Sequence, residues 1–162
     1  YFLKEIYPQV IRQAPEVRLR ITGSTTGVNL AALPLDEHVE LTGYVPDIRP
    51  VVARSWACVV PLRIGGGTRL KILEAMSLGT PVISTTKGAE GLEAEHGAHL
   101  LIADTPDEFA AQVVRLLRSA ELRQELAYNA HRLVAEKYEW SQIGADFRLA
   151  VERLVAGEDA RN

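Results

Sequence analysis

Apolar residues recur at helical spacing where the chain begins, at Phe2, Ile6, Val10 and Ile11 of YFLKEIYPQVIRQAP, and the pattern changes to alternation over VRLRITG, Val17 to Gly23. A period near 3.6 followed by one of 2 predicts a helix and then a strand that ends in a glycine turn. HVELTGYV repeats the strand form between His38 and Val45. PDIRPVVARS predicts a short helix opened by Asp47, with Arg49 and Pro50 in its first turn, where a missing N–H removes no helical bond. WACVVPL, Trp56 to Leu62, reads as a short and wholly apolar strand.

A run of three glycines and a threonine, Gly65 to Thr68, leads into a short helix pattern that closes at Gly79, and TPVIST predicts the strand after it. GLEAEHGA is a polar loop before the apolar run HLLIAD. TPDEFAAQVVRLLRS sets Thr105 three residues before Glu108, a capping box, and carries Phe109, Val113, Leu116 and Leu117 at helical spacing. Two further helices are predicted, Glu121 to Tyr138 and Ser141 to Ala156. The last one has Trp140, Ile143, Phe147, Ala150 and Leu154 on one stripe, which needs an apolar surface, either this sheet or another domain.

Short apolar strands alternating with helices predict an α/β domain, a doubly wound, Rossmann-like parallel sheet with both faces covered. Ligands of such folds sit beyond the carboxyl ends of the strands. No internal repeat or low-complexity linker divides the chain, so residues 1–162 read as a single domain.

Composition narrows the possible partners. The chain has 162 residues, 47% of them hydrophobic, ample for one continuous core. A net charge of −3 without any run of Lys or Arg argues against nucleic acid and against an anionic membrane surface as partners. The single cysteine, Cys58, excludes a disulfide framework and reads as a small core residue in a reducing compartment. No segment approaches the ~20 apolar residues of a membrane span and the start does not resemble a signal peptide, so a cytoplasmic protein is expected. The opening at Tyr1, already inside a helical pattern and without an initiator Met, reads as part of a longer chain.

The glycine run occupies the place this fold reserves for ligands. Gly65, Gly66 and Gly67 let backbone approach a ligand and free several N–H donors, and Thr68 can cap a helix whose positive dipole end favours an anion. Spacing alone leaves a second reading open, in which the glycines make only a tight turn, since no Walker or dinucleotide fingerprint is present. The helix after the loop keeps three charges, Arg69, Lys71 and Glu74. At ~100° per residue Glu74 falls between Leu70 and Leu78, so its carboxylate is expected among apolar neighbours, where leaving it unpaired would cost several kcal/mol. Lys71 at i−3 could pair with it, or a vicinal diol such as that of ribose could donate two hydrogen bonds to it. His38, His96, His99 and His131 show no metal spacing and no metal site is expected, while Asp104, Asp107 and Glu108 read as acids at a helix N-terminus.

VELTGYVPDI, ACVVPLRIGGGTRLKILEAMSLGTPVIST, GAEGL and YEWSQIG together resemble the C-terminal, donor-binding half of GT-B fold glycosyltransferases, and most closely the retaining, nucleotide-sugar-dependent family four (group 1). That family has two glutamates eight positions apart, the second on the donor's ribose and the first near its sugar. Glu74 matches the second, whereas the first position is Gly66 here. The resemblance therefore implies a ribose role for Glu74 and a diphosphate or sugar role for Gly65, Gly66, Gly67, Thr68, Arg69 and Lys71. It also sets Tyr44 and Val45 beside the nucleobase, Gly23 in a loop facing the cleft, and Glu90 in a loop after a strand near the cleft. Tyr44 could equally pack as an aromatic at a strand end, and Glu90 reads as a solvated loop acid.

What the resemblance implies is glycosyl transfer with retention from a UDP-, GDP- or ADP-linked sugar to a saccharide or lipid-linked acceptor, as in bacterial polysaccharide synthesis. No metal or other cofactor is involved, and the donor itself is a substrate. An N-terminal acceptor domain, the first strand of this domain and the basic residues after that strand are not in the chain given, so this stretch alone is expected to be inactive. Family members often work at the inner membrane face, which allows peripheral membrane association of the full enzyme. Two rival readings stand beside this one, a nucleotide-sugar 2-epimerase domain and a non-catalytic α/β nucleotide-binding module.

Overall fold

The computed structural model describes residues 1–155. A π-helical segment, Phe2–Ile6, runs into α1, Tyr7–Gln13. Pro8 lies in the first turn of α1 and donates no N–H, so the hydrogen-bond ladder changes register there. Next come β1 (Leu19–Thr22), a 3₁₀ turn at Leu30–Ala32, β2 (Val39–Gly43), α2 (Arg49–Ala53) and β3 (Cys58–Val60). The remaining elements are α3 (Leu70–Ser77), β4 (Val82–Ser84), α4 (Thr86–Ala89), β5 (Leu101–Ile102), α5 (Pro106–Arg118), α6 (Ala120–Lys137) and α7 (Trp140–Val155).

Every strand pairing is parallel, as the βα alternation predicts, but the strands form two ladders where one sheet was expected. β1 pairs with β2, and β3, β4 and β5 form the other ladder in that order. No strand among the described residues bridges β1 to β3. Within the larger ladder the alternation of side chains sends β4 residues to opposite faces. Ile83 and Leu101 pack with Ile6 and Val10 of the N-terminal segment and with Phe109 and Val113 of α5. Val82 and Leu100 pack on the other face with Ile72, Ala75 and Met76 of α3 and Ala130 of α6. Helices thus cover both faces, which is the doubly wound arrangement.

The helix ends show why the elements stop where they do. Gly79, at φ 71°, follows α3 in the left-handed region, its N–H donates to Met76 O at 3.1 Å, and the Thr80 N–H donates to Ala75 O at 2.9 Å. This pair of bonds is a Schellman motif, which satisfies carbonyls the helix would otherwise leave open. Thr105 and Glu108 exchange reciprocal 3.3 Å bonds at the start of α5. α4 is an element the pattern does not predict: the Thr85 hydroxyl accepts from the Gly88 N–H at 2.9 Å and caps a single turn inside what reads as loop.

Two further expectations change. Leu70 is 66% exposed and the buried stripe of α3 is Ile72, Ala75 and Met76, so Glu74 lies on the solvent side and not among apolar neighbours. α7 buries no residue, and Trp140, Phe147 and Leu154 stand open to solvent, so of the two surfaces considered for its stripe this sheet is not the one. The predicted end of that helix at Ala156 lies outside the described residues. Cys58 is half-buried, and burial pushes its thiol pKa up, as suits a packing residue more than a nucleophile. Among the described residues no helix is long and apolar enough to cross a membrane.

Removing one half of the capping box tests the local account of α5. Thr105→Ala is expected to destabilise the chain by about 0.5 to 2 kcal/mol, read as a lower midpoint in thermal unfolding, and an unchanged midpoint would contradict it.

Candidate functional site

Because β3 and β4 are parallel, their carboxyl ends lie side by side, and the chain leaves each in a different way. After β3 it enters the glycine run; after β4 it turns at once into α4. Between the two exits lies a cleft of about 180 Å³ lined by Val60, Leu62, Gly65, Gly66, Thr68, Arg69, Lys71 and Gly88. A whole small-molecule site is typically several hundred cubic ångströms, so a cleft of this size has room for only part of an extended ligand. Gly65 and Gly67 have φ of 143° and 83°, conformations that side chains with a Cβ rarely adopt.

Backbone contact makes one wall of the cleft. A Cβ at Gly88 would collide with Ser84 Oγ and come within 2.9 Å of the Val60 carbonyl. Only glycine therefore lets α4 sit this close to the ends of β3 and β4. The Thr85 hydroxyl, which caps α4, also donates to the Leu62 carbonyl, joining that wall to the start of the glycine loop.

Arg69 forms the other organising contact. Its side chain is 7% exposed, with Nη1 donating to the Gly66 carbonyl at 3.3 Å and Nη2 to Glu90 Oε2 at 3.1 Å. Its Nε–H is buried and has no partner among the described residues, an arrangement that costs free energy unless something accepts the bond. Lys87 Nζ lies 2.6 Å from the same Glu90 oxygen. The Lys87 hydrogen bond, then its charge, and then Arg69 hold the Glu90 carboxyl below the ordinary glutamate pKa. Lys71 lines the cleft without an ion pair among the described residues.

The structure brings five sequence candidates, Gly65, Gly66, Thr68, Arg69 and Lys71, to one cleft, with Gly67 in the same loop but outside its lining. Glu74 is one turn along α3, exposed, and no cation pairs with it among the described residues, so the Lys71 pairing weighed above does not form. The charge of Glu74 acts weakly on Arg49, whose guanidinium donates a fork of two hydrogen bonds to the Asp47 carboxylate, at 2.8 and 3.0 Å. Gly23, Tyr44 and Val45 lie just past the carboxyl ends of β1 and β2, the strands of the smaller ladder. The Gly23 N–H donates to the Gly43 carbonyl at 2.9 Å, which sets the Gly23 turn beside the turn that begins at Tyr44, whose ring is 78% exposed. Sequence reading missed Gly88 and undervalued Glu90: a glycine spaced three residues after a threonine resembles an ordinary turn, and Glu90's partner Arg69 stands 21 residues away. Among the described residues no three His, Cys, Asp or Glu side chains cluster to hold a metal, and the ring nitrogens of His96 and His99 accept from the backbone N–H groups of Ile102 and Glu95.

Comparison with known proteins matches this arrangement to one family. The model of the family Glycosyl transferases group 1 matches residues 1–119, and the chain belongs to that family. An uncharacterized 44.6 kDa protein from the cps region of Klebsiella pneumoniae is 25% identical over 160 residues, 88% of this chain and 39% of its own length. Glycosyltransferase 1 domain-containing protein 1 of Xenopus tropicalis is 27% identical over 146 residues, 86% of this chain and 42% of its own. The chain spans about two-fifths of the length of these relatives. Among solved structures, HepE of Anabaena in complex with UDP superposes with a TM-score of 0.76 at 18% identity over 91% of this chain and 45% of that one. The C-terminal domain of the group 1 glycosyl transferase LpcC from Francisella tularensis gives 0.60 at 24% identity over 65% and 56%. The fold is that of GT-B C-terminal domains.

Two measurements check the geometry. Gly88→Ala is expected to destabilise the chain by about 1 to 3 kcal/mol through overpacking, and a thermal midpoint equal to that of the wild type would refute the close contact. Glu90 pairing contributes stability above the ordinary glutamate pKa and loses it as pH falls through the lower folded midpoint. An NMR titration should place the Glu90 midpoint below the ordinary value, and Lys87→Met should raise it.

Proposed function

We propose that this domain binds the nucleotide-sugar donor of a retaining glycosyltransferase, and that the cleft after β3 receives its diphosphate. The observation that carries the reading is the unpartnered, buried Arg69 Nε–H in a cleft that also holds Lys71 and the backbone of a glycine loop at the N-terminus of α3. A phosphate oxygen is a natural acceptor for all three kinds of donor. The family membership and the UDP bound by HepE support a nucleotide ligand.

On this reading Glu74, exposed and unpaired one turn beyond the diphosphate, accepts two hydrogen bonds from the ribose diol. The backbone after Gly43, at Tyr44 and Val45, meets the base across from the Gly23 turn. As the glycosidic bond to the diphosphate breaks, negative charge grows on the leaving oxygen, where loop N–H groups, the dipole end of α3, Lys71 and Arg69 are already in place to stabilise it without reorganising. The reaction calls for no metal in this scheme. The acceptor, a saccharide or lipid-linked saccharide, binds a part of the enzyme outside this chain, since the relatives are more than twice as long. A relative named for a cps region supports a role in bacterial polysaccharide synthesis.

Calorimetric titration of the full-length protein with UDP, GDP and ADP tests the proposal. One nucleotide should bind selectively, and Glu74→Ala should weaken it about tenfold or more, in line with hydrogen bonds to a charged acceptor. A folded protein that binds none of the three would reject the reading.

A further inference from the structure

The cleft is lined by two cations and no acidic side chain, yet a carboxylate is fixed at its border. Glu90 Oε2 takes both of the bonds this side chain makes, from Arg69 and from Lys87. Among the described residues Oε1 has no partner, and the side chain is 57% exposed. The terminal nitrogens of Arg69 are rigidly spaced in a planar fork, with one on the Gly66 carbonyl and the other on Glu90. One buried side chain therefore sets both the position of the glycine loop and that of a carboxylate with an open oxygen.

Such a carboxylate has no hydrogen to donate to phosphate, which is itself an acceptor. It is a good acceptor for hydroxyl groups, and of the two hydroxyl-bearing parts that flank the diphosphate of a nucleotide sugar, the ribose is given to Glu74 by the reading above, which leaves the sugar. There is room for it beside the loop: a Cβ built at Gly66 would meet nothing within 4 Å. The Glu90 carboxylate, from the turn after α4, reaches the same arginine that grips the Gly66 carbonyl.

We infer that Glu90 accepts hydrogen bonds from hydroxyl groups of the donor's sugar, with Arg69 and Lys87 as the positioning residues that hold it. The inference rests on the donor-site reading given above. It separates the two parts of the donor: the diphosphate goes to the loop N–H groups, Lys71 and the free Nε–H of Arg69, and the sugar goes to Glu90.

Glu90→Gln keeps the shape of the side chain and removes its charge. In the full-length protein, calorimetry is run with UDP, GDP and ADP and with UDP-glucose, UDP-N-acetylglucosamine, GDP-mannose and ADP-glucose. The expected result is that the wild type binds one sugar-bearing form more tightly than its own nucleotide. Glu90→Gln should then weaken that form about tenfold or more, while the bare nucleotide binds as well as before or more tightly, because a neighbouring anion has gone. Equal weakening of both ligands would overturn the inference and leave Glu90 as a brace for the loop, and no change in either would overturn it as well. A wild type that binds a nucleotide but gains nothing from any of the sugars overturns it while leaving the donor site standing. Binding of no ligand at all removes the donor site and this inference with it. Should Glu90→Gln fail to fold, Glu90→Asp, which keeps the charge and withdraws it by one methylene, is read by the same pair of titrations.

Discussion

A guanidinium that gives up nearly all its solvent must find acceptors for its donors, and the position of Arg69 is determined by that need. It sits at the N-terminal boundary of α3, where the chain has just left the glycine run, and it binds the Gly66 carbonyl behind it and Glu90 across the cleft. Burying a charge without a partner would cost several kcal/mol, so the loop, the helix and the turn after α4 are held in one arrangement. The remaining unsatisfied Nε–H is what makes this arrangement read as a binding site and not simply as a brace.

The rest of the domain supports that contact at a distance. Val82 and Leu100 on one face, and Ile83 and Leu101 on the other, fix β4 and β5 between α3 and α5. Strand β4 delivers Thr85 and Gly88 to the cleft, and the Schellman turn at Gly79 ends α3 so that the chain can re-enter the sheet at Val82. The segment that carries Glu90 is tied down further along its length. The Tyr138 hydroxyl accepts from the Glu93 N–H at 2.8 Å, Lys137 pairs with Glu93, and Asn129 donates to the Ala98 carbonyl at 3.2 Å.

The readable features were those written in short-range spacing. The capping box at Thr105, the glycine stop at Gly79 and the alternation of strands with helices are all statements about residues within four positions of one another, and each is found where the pattern puts it. Glu74 shows the opposite case. Its neighbours at i±4 are apolar, but which face of an eight-residue helix is buried depends on where the sheet lies, and the sheet meets Ile72, Ala75 and Met76. The Arg69–Glu90 pair was out of reach for the same reason, since it closes a loop of 21 residues by tertiary contact. The glycine run could be located as a ligand-facing turn from sequence, whereas the single-turn α4 opposite it depends on a hydroxyl that also reaches Leu62.

The packing of Gly88 against the Val60 carbonyl and Ser84 gives the cleft one immovable jaw. Backbone lies on backbone there, with no side chain to rotate aside, so that wall cannot widen for a bulkier guest without pulling a turn of helix off two strands. The opposite jaw carries Gly65 and Gly66 of the glycine loop, with open space beside Gly66. Adjustment to ligands of different size is therefore easier on that side, where the one side-chain tether to these glycines among the described residues is the bond from Arg69 to the Gly66 carbonyl.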